Sequence, residues 1–96
     1  MRVQVLHVAD CPGAATLLRR LALILATRTD IVVERRVIGD EREATVSGMT
    51  GSPTLLVDGA DPFADGAPPR LACRLYRDER GTISGSPSLA RLRAVL

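Results

Sequence analysis

From Val3 to Val8 the chain is rich in aliphatic residues and has no long polar face, which predicts a strand covered on both sides. Asp10–Cys11–Pro12–Gly13 ends it. Over Ala14 to Arg28, Leu17, Leu18, Leu21, Ile24 and Leu25 recur at spacings of three and four, a helix with one inward stripe. Pro12 suits its first turn, where a missing N–H costs no hydrogen bond. After a turn at Thr29–Asp30, Ile31 to Ile38 reads as a second strand, more polar and so nearer a sheet edge. Asp40, with Glu43 three residues on, predicts a reciprocal cap for a short helix over Glu41 to Ser47, and Gly48 is its stop. Gly51–Ser52–Pro53 leads into a third strand, Thr54 to Val57, and Asp58–Gly59 turns out of it.

The remainder is less regular. Ala60 to Pro69 is a Pro/Gly/Asp-rich excursion, and Ala72 to Tyr76 fits either a short edge strand or one helical turn. Glu79 to Thr82 reads as a turn. Ser86 and Pro87 predict a helix start as N-cap and first residue, with Leu89, Leu92, Val95 and Leu96 on its apolar face. The order β-α-β-α-β-β-α over 1–96 is that of a single α/β domain with a central mixed sheet flanked by helices. The β-α-β opening makes the first two strands parallel, joined by a right-handed crossover, and lets the third run antiparallel to the first.

Composition narrows the functions. Apolar residues are 46% and charged residues 25% of 96, the balance of an ordinary globule with one modest core. The 13 basic residues, all Arg, are interleaved with 11 acids for a net charge of +2, so no surface tracks phosphates. Phe63 and Tyr76 are the only aromatics, too few to stack single-stranded bases, and nucleic acid is not an expected partner. The longest Leu/Ala run, Leu17 to Ala26, contains Arg19 and Arg20 and cannot span a membrane. With no signal-like segment and no disulfide-dense pattern, a reducing cytoplasmic location is the expectation.

The chemistry rests on few residues. Cys11 stands where unpaired N–H groups and the helix dipole favour a thiolate, although Asp10 beside it is a like charge; the alternative is a buried apolar cysteine. Cys73, flanked by Leu71, Ala72 and Leu75, is either a core residue or a partner that folds to within about 7 Å of Cys11 between Cα atoms. His7 reads as a satisfied or partly buried histidine within its strand, with a ligand or base role as the alternative. Together Cys11, Cys73 and His7 would suit zinc, copper(I) or mercury(II) in ligand type, but no spacing demands a metal. Asp58 reads as a turn residue, and Asp61 and Asp65 share the excursion with Phe63, read as an exposed aromatic that docks a partner or pins the loop. Arg70, Arg74 and Arg77 read as a solvated face, with attraction of an anionic substrate such as glutathione as the alternative.

Cys-Pro-Gly-Ala at the first strand-to-helix junction and Gly-Ser-Pro-Thr opening a later strand resemble the thioredoxin/glutaredoxin superfamily. Asp-Cys-Pro, Gly-Ser-Pro-Thr-Leu-Leu-Val-Asp-Gly and Ala-Cys-Arg-Leu-Tyr, in that order, most resemble small thioredoxin-like proteins of actinobacterial type, some labelled alkylmercury (organomercurial) lyase. The resemblance spans nearly the whole chain. It implies a thioredoxin-like fold, with Cys11 as attacking thiol and Pro53 as a cis-proline beside it. Ser52 and Pro12 flank these and would help position a protein disulfide or glutathione-like substrate. Ala14 stands where dithiol members have a resolving cysteine, so Cys73 or an external thiol would resolve. No organic cofactor is implied, and the tetrad is not the Cys-Gly-Phe-Ser of cluster-bridging monothiol members. A lyase would need two thiolates and an acid, Cys11 and Cys73 with Asp10 or Asp65, and the chain lacks the extra N-terminal region of those larger enzymes. A non-catalytic adaptor or thiol-dependent metal-binding module is the competing reading.

Overall fold

The computed structural model describes residues 1–96. Strand β1 (Arg2–His7) leads through Cys11 into helix α1 (Pro12–Leu25) and back to strand β2 (Val32–Val37), followed by helix α2 (Glu41–Ser47). Strands β3 (Thr50–Ser52) and β4 (Thr54–Val57) are separated only by Pro53. Strand β5 (Arg70–Cys73), strands β6 (Tyr76–Arg77) and β7 (Ile83–Ser84), and helix α3 (Leu89–Val95) complete the chain.

The main sheet has the order β2-β1-β4. β1 runs parallel to β2, from Arg2 opposite Val32 to His7 opposite Val37, and antiparallel to β4, from Val3 opposite Val57 to Leu6 opposite Thr54. The aliphatic first strand is therefore central and the polar second strand is the edge, as the pattern predicts. Alternation along the strands builds two cores. Val3, Val5 and Leu55 face Leu17, Leu21 and Ile24 of α1 and Leu92 of α3, while Leu6 and Leu56 face Ala44, Ile38 and Met49 on the α2 side. His7 continues the Val3–Val5 row and so lies on the α1 face.

Local signals set the ends of α2. Asp40 accepts the Glu43 N–H at 2.7 Å and Gly48 closes the helix with φ of 83°. The cap is one-sided, without the expected return bond from the Glu43 side chain.

Elsewhere the boundaries differ from the sequence expectation. α1 stops at Leu25, not Arg28, because the Thr27 and Arg28 N–H groups turn to the Ile24 and Leu25 carbonyls, three residues back, at 3.3 and 3.2 Å and tighten the chain out of the α-helix. The Arg28 guanidinium then holds the Asp30 carboxylate and the Leu96 carbonyl. α3 starts after Ser88, whose Oγ accepts the Arg91 N–H at 3.1 Å, and not after Ser86. Ser86 and Pro87 are buried, and Arg20 donates to the Pro87 carbonyl at 2.6 Å, which pins that stretch against α1 before the helix begins.

The expected seven-element order also gains short strands. Thr50–Ser52, read as a lead-in, is a strand that pairs parallel with β5, where Thr50 faces Arg70 and Ser52 faces Cys73. β5 has one more residue than β3 between these pairs, a bulge. Ala72 to Tyr76 is neither one strand nor a helical turn. It is the end of β5, a break, and the start of the β6–β7 hairpin, whose turn is the Glu79–Thr82 segment read from the sequence. No helix is long and apolar enough to cross a membrane.

Candidate functional site

α1 begins at Cys11, its N-cap, with an extended backbone (φ −84°, ψ 113°) and Pro12 in the first turn. The Cys11 side chain makes no cap hydrogen bond, so the thiol is not used to close the helix. Its own carbonyl accepts the Ala15 N–H at 3.2 Å, which starts the helical ladder. Asp10 precedes it with φ of 55°, a left-handed turn residue that swings the chain from β1 into α1. The thiol is free and half-buried. It lines an open cleft of about 390 Å³ together with His7, Asp10, Pro12, Leu18 and Arg35.

His7 forms one wall of this cleft and is only 4% exposed. Its Nδ1 lies 2.6 Å from the Val8 carbonyl. A carbonyl only accepts, so Nδ1 carries the hydrogen and Nε2 of the neutral ring presents a lone pair. Nε2 is buried and has no hydrogen-bond partner. The expectation of a satisfied core histidine is met at one nitrogen and not at the other. Leaving a buried acceptor unpaired costs about 1–3 kcal/mol.

Behind α1 the packing is close. A Cβ on Gly13 would lie 2.2 Å from the Gly85 carbonyl oxygen and 3.1 Å from Pro53 Cδ, so only glycine fits there. This contact sets Pro53 against the first turn of α1, and the Ser52–Pro53 peptide is cis. Both residues are buried and neither lines the cleft. Their polar groups are already engaged. Ser52 Oγ accepts the Val8 N–H at 3.0 Å, the Ser52 carbonyl accepts the Arg74 N–H at 3.0 Å, and the Pro53 carbonyl accepts the Tyr76 hydroxyl. Of the three expected positioning residues, Pro12 alone is exposed at the cleft.

Arg74 corrects the reading of a solvated arginine face. Its side chain is 3% exposed. It donates to Asp61 at 2.7 Å, Thr50 Oγ1 at 3.1 Å, Thr54 Oγ1 at 3.5 Å and the Phe63 carbonyl. The guanidinium carbon also sits 4.7 Å from the Tyr76 ring centroid. Phe63 is half-buried and meets Tyr76 edge-on at 5.8 Å, so it pins the excursion and is not the exposed aromatic expected. Burial pushes the Tyr76 hydroxyl well above the usual phenol range, and the negative ends of Asp61, Asp65 and Cys11 add to this against the opposing charge of Arg74. The hydroxyl therefore stays protonated and donates to Pro53. Asp58 is a turn residue as expected, with φ of 49°, and its carboxylate accepts the Arg2 N–H at 2.9 Å.

Cys73 is exposed on β5 and free, which removes the core reading. It does not line the Cys11 cleft. Cys11, Cys73 and His7 do not form a metal-holding cluster, and no group of three His, Cys, Asp or Glu side chains does. The Arg74 hub and the Tyr76 clamp on Pro53 escaped the sequence reading, since both join residues more than ten positions apart. The alternation Val3–Val5–His7 was the one signal that could have placed His7 against α1.

Comparison with protein-family models, curated proteins and solved structures finds no match to this chain. Function must therefore be argued from the site.

Proposed function

We propose that this α/β chain is a thioredoxin-like domain that exchanges disulfides through Cys11. The observation that carries the reading is a free, half-buried thiol at the N-cap of a 14-residue helix, uncommitted to capping and set in the wall of an open cleft. The first-turn N–H groups and the helix dipole favour negative charge there. The parallel β1–α1–β2 crossover with antiparallel β4, and Pro53 packed behind the helix start, are in keeping with it.

The Cys11 thiolate attacks one sulfur of a protein disulfide or glutathione-like disulfide. A Cys11–substrate disulfide forms and the other substrate sulfur leaves as a thiolate. A second thiolate then attacks the substrate sulfur of this mixed disulfide and regenerates the Cys11 thiolate. An external thiol suits this second step better than Cys73, which stands outside the cleft. Pro12 and the first turn of α1 flank the incoming disulfide. Pro53 and Ser52 act from beneath by holding that turn in place.

The test is to mix reduced Cys73→Ser protein with glutathione disulfide and follow the mass of the intact chain. One glutathione on Cys11, removed again by reduced glutathione, is expected, with no adduct on Cys11→Ser. Absence of an adduct on folded Cys73→Ser protein overturns the reading.

A further inference from the structure

We propose that His7 and Cys11 form a two-ligand site for copper(I) in the cleft at the start of α1. This stands independently of disulfide exchange. His7 is 4% exposed, and its Nε2 is a buried lone pair without a partner. Its Nδ1–H is tied to the Val8 carbonyl at 2.6 Å. That is the arrangement of a metal-ligating imidazole, in which a backbone carbonyl fixes the tautomer and leaves the other nitrogen free to bind. The same cleft is lined by the Cys11 thiol, which is free and makes no cap bond.

The donor set selects the ion. Zinc takes four ligands, and no cluster of three His, Cys, Asp or Glu side chains is present to begin such a site. Thiolate favours soft and borderline ions, copper(I) and zinc among them, and the ligand count then favours copper(I), a monovalent d10 ion that is content with one thiolate and one imidazole. Asp10 also lines the cleft, but its carboxylate is a hard ligand better matched to magnesium or calcium. Charge is compatible. A thiolate, a copper(I) ion and a neutral imidazole sum to zero, so the pair needs no further counter-charge, and the Asp10 and Arg35 side chains that also line the cleft are of opposite sign.

The experiment is an anaerobic titration of the reduced chain with copper(I) against a chromophoric copper(I) chelator. One copper(I) per chain is expected for wild type and for Cys73→Ser, and none for Cys11→Ser. His7→Leu weakens binding by at least about tenfold, the scale of losses at metal-site residues. The direct readout needs no variant. His7 is the single histidine of the chain, so its ring nitrogens are assigned at once in a long-range proton–nitrogen spectrum. One equivalent of copper(I) shifts the Nε2 resonance and leaves Nδ1 protonated. Copper(I) binding with an unmoved Nε2, no binding at all, or zinc(II) competing at equal concentration each overturns the proposal.

Discussion

Two polar clusters flank Pro53, and their central side chains, Arg74 and His7, are treated in opposite ways, although Arg70 on β5 beside the first cluster also keeps a buried Nε without a partner. Around Arg74 the buried charge is matched by the Asp61 carboxylate, two threonine hydroxyls and the Phe63 carbonyl. At the head of α1, His7 keeps a buried nitrogen unpaired and Cys11 keeps its thiol out of the helix cap. A satisfied network fixes a shape, and here it ties the Pro/Gly-rich excursion and β5 to the start of β4. An unsatisfied acceptor beside a free thiol carries a cost that folding alone does not require. The contrast assigns structure to the first cluster and chemistry to the second.

The largest effect should come from breaking the satisfied cluster. Arg74→Ala leaves Asp61, with a side chain only 11% exposed, as an uncompensated charge and costs about 3–5 kcal/mol in denaturant unfolding. Adding Asp61→Leu should recover much of that loss, since removing both charges removes the stranded one. A double variant no more stable than Arg74→Ala would mean that the ion pair is not the core of the network.

Gly13→Ala probes the link between the clusters. Its Cβ would meet backbone at Gly85, so α1 must shift away from Pro53, at a cost of about 1–3 kcal/mol. Cys11 reactivity in the folded protein should change with it. Stability loss with unaltered reactivity would show that the helix start does not depend on this contact.

The sharpest contrast is His7→Leu. It removes the unpaired nitrogen and adds an apolar side chain to the Val3–Val5 row. Thermal unfolding should place it within about 1 kcal/mol of wild type, on either side. A loss as large as that of Arg74→Ala would make His7 a structural residue and erase the distinction.

The smallest effect lies far from both clusters. Hydrogen bonding from the Arg28 guanidinium lowers the Asp30 carboxyl from 3.8 to about 2. A carboxyl lowered on folding adds stability that is present above its unfolded value and lost as pH falls through its folded value. The small advantage of wild type over Asp30→Asn should therefore vanish between about pH 4 and pH 2, read from urea midpoints. An advantage that persists at pH 2 would contradict the pairing.

What was legible in the sequence was local or periodic. The Val3–Val8 run, the leucine stripe of α1, and Asp40 with Gly48 around α2 each act within a few residues, and each stands in the fold. The place of Cys11 at a helix start was legible because Pro12 marks that start, whereas its reading as a reactive thiol came mostly from the family resemblance. What was hidden depends on distant partners. Arg74 looks like any surface arginine until Asp61 and Phe63 fold over it. Thr50–Ser52 becomes a strand only when β5 arrives beside it. Ser86 and Ser88 both suit a helix cap, and it is Ser88 that caps α3 while Ser86 is buried in the stretch where Arg20, more than sixty residues away, donates to the Pro87 carbonyl. The unpaired Nε2 of His7 had no local mark, because burial and tautomer are set by α1 and Val8 together.

The most direct test of the account sets the two cysteines of one chain against each other. The reduced native protein is treated at neutral pH with less than one equivalent of iodoacetamide, and the modified site is located by mass spectrometry. Cys73 is exposed and Cys11 only half-buried, so exposure alone favours Cys73. If the head of α1 activates its thiol, Cys11 is alkylated first. Preferential modification of Cys73 would contradict the claim that chemistry resides at Cys11.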